Sequence, residues 1–446
     1  MPASTAKSLR VAVLADSDTR WKWGSLTAKR ISPAESDIRL DGFLLRGRAT
    51  PTARQLEEVG VRADSLREVT AVEFLRELGK EDRVYDLVVL ALVGGAVQAV
   101  LHGLSRAWDG RAKRPLVVTG YVGVVYEKLA DGLLLRHGAD LVLANSRQDA
   151  DRFRDVYEGV GADAGSVTEV ALPFLGGAAY TGHDPATEQG RRPYTVVFAA
   201  QPSVPENRRD RTYLLDRLIG HARLHPDREV LLKLRSKPGE HTTHIEELPY
   251  QKLVQKADPP ANFRLVYGHM GEVLDRTDLL VTISSTAALE SLHRRIPTVV
   301  LSDLGVREAL GNHHFVGSGC LASWDQLDAG HRPVPDPEWV ARQGVAAGGE
   351  AYESAFDVAR RRITDLLAAD ELPPLTPYYT PVTAPGYLPG ILARHHLGPD
   401  GSPLPGAPAA DREPSPVRQF VRKAARGAYR HGVQRVAPVI RRMGEL

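Results

Sequence analysis

Short, nearly uninterrupted apolar runs alternate with amphipathic stretches along most of the chain. In the first part such runs cover residues 9–16 (LRVAVLAD), 38–45, 85–95, 114–121, 139–146 and 166–172. Helical spacing of apolar positions lies between them, as in AVQAVLHGLSRAW and RQDADRFRDVYEG. Continuous apolar strands separated by amphipathic helices predict a parallel sheet covered on both faces, hence a doubly wound α/β domain over residues 8–180. Residues 176–193, GGAAYTGHDPATEQGRRP, have no periodicity and read as a linker. The alternation then restarts, with strands predicted at 194–201, 229–236, 263–268, 279–285 and 297–303. Helices are predicted over DRTYLLDRLIGHARLH, HIEELPYQKLVQKA, TAALESLHRR and EAYESAFDVARRRITDLLAA. This is a second α/β domain, 193–370. Two domains suit a chain of 446 residues, because single cores stop growing near roughly 250–300.

From Glu371 the pattern dissolves into a Pro- and Gly-rich extended segment, 371–415, part of which can pack back on the domains. After it, Val417, Phe420, Val421, Ala424 and Ala428 share one helical face, with Arg418, Arg422, Lys423, Arg426 and Arg430 opposite. Pro438 ends or kinks this helix. Residues 415–446 hold eight Lys and Arg against one Glu, while the remainder carries 49 basic and 54 acidic residues. A mildly acidic body excludes a general nucleic-acid binder. The tail 416–446 reads either as an interfacial helix on anionic lipid or as a helix docked on protein. No apolar run reaches the roughly 18–20 residues of a membrane span, and the N-terminus lacks a signal-peptide pattern. The single cysteine, Cys320, leaves no internal disulfide. The expected location is cytoplasmic, with peripheral attachment to the inner face of the plasma membrane if the tail binds lipid.

The most informative stretch is TISSTAALESLHRRIPTVVL, residues 282–301. It brings Ser284 and Ser285 to the carboxyl edge of a predicted strand, where open α/β sheets bind ligands. Thr286 opens a helix whose start favours anions. Glu290, four residues on, lies on the same helical side and can accept hydrogen bonds from a ribose diol. Together they offer a grip for a nucleoside phosphate, although Ser and Thr are also ordinary helix caps and Glu290 can be a solvated helix residue.

This segment resembles the serine-serine motif of bacterial GT-B glycosyltransferases that build surface polysaccharides, among them capsular sialyl- and Kdo-transferases and the related polyglycerophosphate polymerases. The chain also resembles actinobacterial proteins labelled as glycosyltransferases. The resemblance implies two Rossmann-like domains facing a cleft, with the nucleotide-sugar donor in the second and the acceptor in the first. It implies that Ser284 and Ser285 meet the donor phosphate and that Glu290 meets the ribose. The His-Pro pair those enzymes carry after an earlier donor-domain strand is missing. Lys233, Arg235 and Lys237 stand there instead, with His241 and His244 nearby, a cationic group able to neutralise a diphosphate. Gln201, Ser203, Asn207 and Arg208, in the loop after strand 194–201, become expected cleft residues. Gly268 and His269, after strand 263–268, become expected base contacts. In the first domain, Asp18 or Asp16 is the expected general base. Trp21, Trp23, Tyr121 and Gly123 become expected acceptor contacts. Asp18 can instead cap the following helix, and the tryptophans can instead pack.

There is no P-loop, no G-x-G-x-x-G after the first strand and no zinc motif. The adjacent histidines of GNHHFVG lack further assignable ligands. The expectation is a metal-independent transferase with no cofactor beyond the nucleotide sugar as substrate. It would act on a glycan or lipid-linked acceptor. A CDP-alcohol polyol-phosphate transferase and a non-catalytic nucleotide- or glycan-binding protein of the same fold remain open alternatives.

Overall fold

The computed structural model describes residues 8–33, 36–81, 85–124, 128–183, 192–237, 240, 248–345 and 350–407. The predicted tail helix and His241 and His244 lie outside them. The chain divides into two compact units, one formed by 1–174, 342–344 and 349–412, the other by 175–341, 345–348 and 413–446.

The first unit is built on seven strands: β1 (Ser8–Ala15), β2 (Asp37–Leu45), β3 (Ser65–Val69), β4 (Leu87–Ala91), β5 (Leu116–Gly120), β6 (Leu141–Ala144) and β7 (Val167–Glu169). All pair in parallel, in the order β3-β2-β1-β4-β5-β6-β7. Every residue of β4, β5 and β6 is buried, the signature of strands covered on both faces. Strand β3 escapes the apolar pattern because four of its five residues are exposed on the sheet edge. The helix Asp18–Ile31 follows β1 directly; Ser17 caps it by accepting the Arg20 N–H. Its two tryptophans pack against the sheet where the strands carry no side chain. A Cβ at Gly42 would meet the Trp21 ring at 2.6 Å, and one at Gly120 would meet Trp23 at 2.9 Å.

The C-terminal segment returns to this unit. In the helix Asp357–Ala368, Arg360 donates to the Arg30 carbonyl, and Arg362 donates to the Gly165 and Val167 carbonyls. By its position before residue 370 this helix is expected in the second domain, but it belongs to the first unit. Its amphipathic face says only that it packs, whereas its arginine contacts decide against which sheet. Further on, Arg114 forms a two-pronged ion pair with Asp140 at 2.8 and 2.9 Å and also donates to the Pro373 carbonyl. Ser105 holds the Leu375 carbonyl, and His102 the Tyr379 carbonyl. The Pro-rich stretch is therefore an ordered strap on the first unit over its described length.

The second unit has six parallel strands: β8 (Thr195–Ala199), β9 (Glu229–Lys233), β10 (Phe263–Val266), β11 (Leu279–Thr282), β12 (Thr298–Leu301) and β13 (Leu321–Ala322). Their order is β10-β9-β8-β11-β12-β13. The described part of the predicted linker is bonded into this unit. Arg294 donates to the Gly176 carbonyl, the Tyr180 N–H donates to the Arg294 carbonyl, and Arg192 grips the fully buried Asp278. Cys320 is buried, and burial pushes its thiol up to about 11, which removes it as a nucleophile at neutral pH.

Burial holds four histidines, His102, His221, His225 and His395, below the ordinary histidine value. They stay neutral when folded and take up protons when unfolded below about pH 6.5. Their contribution is intact above that pH and is lost as the pH falls. The thermal midpoint is expected to drop between pH 7 and pH 5, measured by circular dichroism. Removing one of the four, as in His102→Gln, should shallow the slope. A flat profile would contradict the buried neutral state.

Candidate functional site

In both sheets the first strand sits beside the fourth, so the chain leaves each of these strands in opposite directions. That is the switch point at which a crevice opens at the carboxyl edge. In the second unit it lies between β8 and β11. Two residues beyond each strand end, Gln201 and Ser284 form a clamp. The Gln201 carbonyl oxygen accepts the Ser284 N–H at 3.0 Å, and its amide donates to Ser284 Oγ at 3.1 Å. The Ser284 hydroxyl donates to the Leu310 carbonyl at 2.6 Å, and the residue is 4% exposed. This corrects the expectation for Ser284: its one hydroxyl hydrogen is engaged inward, and the residue positions the turn rather than facing a ligand.

Ser285 and Thr286 are half-buried at this edge. Ser285 Oγ accepts the Ala287 N–H at 3.2 Å, which leaves its hydrogen to donate; among the described residues it has no protein acceptor. Thr286 is already helical in backbone, and its side chain makes no capping bond. Two hydroxyl donors thus stand at the switch point. Glu290, in the seven-residue helix Ala287–His293, is only 8% exposed.

The cations divide. Lys233 is buried, with its ammonium donating to the Leu234 carbonyl at 2.9 Å, so it does not stand free at the strand end as expected. Arg235 is half-buried and Lys237 exposed. Asn207 is corrected too. It caps the helix Arg208–Leu224, accepting the Asp210 N–H at 2.8 Å and donating to the Asp210 carboxylate at 2.7 Å. Ser203 is half-buried in the preceding turn, which the fully buried Arg211 holds through the Pro202 and Pro205 carbonyls. Arg208, the first residue of that helix, is exposed. Gly268 has φ +102°, a conformation that favours glycine, and delivers His269 to the start of the helix Met270–Leu274.

The first unit repeats the clamp with other chemistry. Asp16, just past β1, accepts the Val93 N–H at 2.9 Å and pairs with Arg20 at 2.9 Å. Its carboxylate bridges the switch point between β1 and β4, a structural task. Asp18 opens the helix, half-buried, with the Thr19 hydroxyl 3.4 Å from it. Trp21 and Trp23 are wholly buried. The reading of both as sugar-stacking surfaces is therefore overturned: the helix presses them onto the glycines of β2 and β5.

Asn145, at the end of β6, escaped the sequence reading. Fully buried, it donates to the carbonyls of Tyr121 (2.7 Å) and Gly123 (3.1 Å) and accepts the Trp23 indole N–H at 3.4 Å. Arg136 likewise ties the ends of β4 and β5 through the Leu92 and Gly120 carbonyls and lies 3.9 Å over the Tyr121 ring. Burial pushes the Tyr121 hydroxyl above its usual value against the pull of Arg136. Position at a strand end was the available signal for Asn145.

Among the described residues, His221, His225 and Asp328 lie close enough to share a metal. His221 is satisfied without one: its Nδ1 meets Asp328 at 2.6 Å, and its other nitrogen faces Arg228 at 3.4 Å. A ligating Nδ1 would turn the second N–H toward that guanidinium. The histidines of GNHHFVG diverge, His313 exposed and His314 buried against Trp339.

Two parallel-sheet α/β units, each with its switch point at the carboxyl edge, define a protein of the GT-B type of fold. The chain belongs to the family described as "Putative glycosyltransferase (DUF6716)", whose model matches residues 11–359. The fold is similar to the S. aureus MnaA–UDP co-structure, at 11% identity and a TM-score of 0.51, covering 82% of this chain and 99% of that one. It is also similar to a "putative UDP-N-acetylglucosamine 2-epimerase from Listeria monocytogenes", at 11% identity and a TM-score of 0.50, covering 82% and 98%. No curated protein matches the sequence.

Proposed function

We propose that the chain transfers a sugar from a nucleoside-diphosphate donor, bound at the β8/β11 edge of the second unit, to a cell-surface glycan or lipid-linked acceptor. The observation that carries this reading is the pair of hydroxyls, Ser285 and Thr286, at a switch point whose edge is fixed by the Gln201–Ser284 clamp. Hydroxyl donors there suit phosphate oxygens, and Arg235 and Lys237 at the end of β9 suit the charge of a leaving diphosphate. Glu290 is assigned to the ribose and His269 to the base. On the acceptor side Asp18 is the proposed base, because Asp16 is engaged in the β1/β4 clamp. The serine-serine segment supports kinship with the capsular sialyl- and Kdo-transferases. The departure at 233–237 favours a diphosphate over a CMP-linked donor. The basic tail would keep the enzyme on anionic lipid.

Calorimetry with UDP, GDP, CDP and CMP tests the reading, followed by donor turnover with and without a lipid-linked acceptor fraction. One nucleoside diphosphate should bind, and Arg235→Gln/Lys237→Gln should weaken it about tenfold or more. Absence of nucleotide binding, or nucleotide release with no glycosyl transfer, would overturn it.

A further inference from the structure

The face of the first sheet that carries Phe43 and Tyr85 in its core is not apolar along its whole length. Register sets Arg10 beside Arg39, Ala12 beside Asp41 beside Ser65, and Leu14 beside Phe43 beside Arg67. Alternation of side chains puts each of these rows on one face. These rows therefore gather three arginines, Arg10, Arg39 and Arg67, from three separate strands on one face. They line a cavity of about 370 Å³ with Asp41, Phe43, Ser65 and Tyr85.

One carboxylate lines the cavity with the three guanidinium groups, and it is turned inward. Asp41 accepts the Ser65 hydroxyl at 2.6 Å and the Tyr85 hydroxyl at 3.1 Å, and pairs with Arg10 at 3.5 Å. Those bonds and Arg10 outweigh burial and hold its carboxyl below the usual range. The effect is to brace Arg10, which also lies 5.0 Å over the Tyr85 ring. Its Nε is buried with no acceptor among the described residues. Arg67 lies 4.9 Å over the Phe43 ring. Its partner Glu77 is shared with Lys80, so that carboxylate is already answered. Arg39 is exposed and forms no ion pair with any described residue. The lining thus holds three positive charges against one negative. Its donor forks match the oxygens of a phosphate, and two aromatic rings hold two of those forks in place.

We propose that this cavity is a second, non-catalytic site for a phosphate ester, separate from the donor edge of the other unit. The chemistry fits a phosphomonoester or phosphodiester, carried either by a soluble sugar or polyol phosphate or by the headgroup of an anionic lipid. Because its residues lie on β1, β2 and β3 of the first unit and on Tyr85 before β4, it stands independently of the donor reading.

Titration of the full chain with inorganic phosphate and with glycerol 1-phosphate at low salt tests it. The comparison set is the wild type, Arg39→Gln/Arg67→Gln and Ser285→Ala/Thr286→Ala. The arginine pair should lose phosphate-ester affinity by about tenfold or more, while the hydroxyl pair keeps it. Arg10→Lys, which preserves the charge beside Asp41 but not the fork, should fall between. Unchanged thermal midpoints would show that the variants fold. Flotation with vesicles of phosphatidylcholine, with and without phosphatidylglycerol, separates the sources. A loss in the arginine pair limited to soluble esters assigns a soluble ligand; a loss on phosphatidylglycerol vesicles as well assigns a headgroup. No phosphate binding, or binding that the hydroxyl pair abolishes and the arginine pair leaves intact, overturns the proposal.

Discussion

Replacing Ser285 and Thr286 together by alanine is expected to lower kcat/KM for the sugar donor by about two orders of magnitude. Each hydrogen bond to a charged oxygen contributes about 1.5–3 kcal/mol, and about 1.4 kcal/mol is tenfold. Both hydroxyls stand half-buried at the switch point, and the Ser285 oxygen already accepts the Ala287 N–H, so its hydrogen is the one available to a ligand. The loss should appear in nucleotide affinity and KM where the phosphate is held equally throughout the reaction, and in kcat as far as the bonds tighten when charge develops on the leaving phosphate. Ser284→Ala is the informative companion. Its hydroxyl bridges the Leu310 carbonyl and Gln201, so it should lower the thermal midpoint as well as activity. The double variant should leave the midpoint nearly in place. Steady-state kinetics and nucleotide calorimetry on purified protein check this; wild-type kinetics in the double variant would remove the phosphate assignment.

Asp140→Ala is expected to cost about 3–5 kcal/mol of stability, as breaking a buried ion pair on one side does. The Arg114 and Asp140 side chains are 3% and 8% exposed, and two parallel hydrogen bonds join them. The same carboxylate accepts the Val117 N–H at 2.7 Å, so its removal also orphans a strand amide. Arg114 would be left buried with carbonyl partners only, and its grip on Pro373 carries the damage into the C-terminal strap. Replacing both partners by apolar residues, Arg114→Met/Asp140→Leu, should recover most of the loss, because no uncompensated charge remains. Denaturant unfolding of the three proteins measures this. A loss under about 1 kcal/mol in the single variant, the range of exposed pairs, would show that the pair is not buried in solution.

Much of the architecture was legible because it is written in local periodicity. Apolar runs such as those of β4 and β8 are buried on both faces, and that condition alone suffices to distinguish a parallel sheet from a half-exposed one. Helix starts were less legible: Ser17 and Asn207 are the caps, whereas the sequence pointed to Asp18 as the cap and to Asn207 as a cleft residue, because a short polar side chain before a helix suits either task. Strands without that signature were not legible, as β3 with its exposed edge residues shows. Within the candidate site, the strand-end location of Ser284, Ser285 and Thr286 followed from the pattern, but not which hydroxyl faces inward. That depends on Leu310 and Gln201, respectively 26 and 83 residues away. The tryptophans misled for a related reason. An indole beside a strand end can stack on a sugar or fill a core, and only Gly42 and Gly120 across the sheet show which.

By itself, then, the sequence determined the alternation of strand and helix, the two-fold repetition of an α/β unit and the polar edge at residues 284–286. These rest on interactions within a few residues. Tertiary structure alone decided the strand order that makes β8 and β11 neighbours, the inward turn of Ser284 and Lys233, and the return of the C-terminal strap to the first unit. It also decided the meeting of Arg10, Arg39 and Arg67 on one face. The physical reason is shared: each is set by which segments pack together, strand beside strand in register or strap against sheet through buried hydrogen bonds, a choice made by long-range burial.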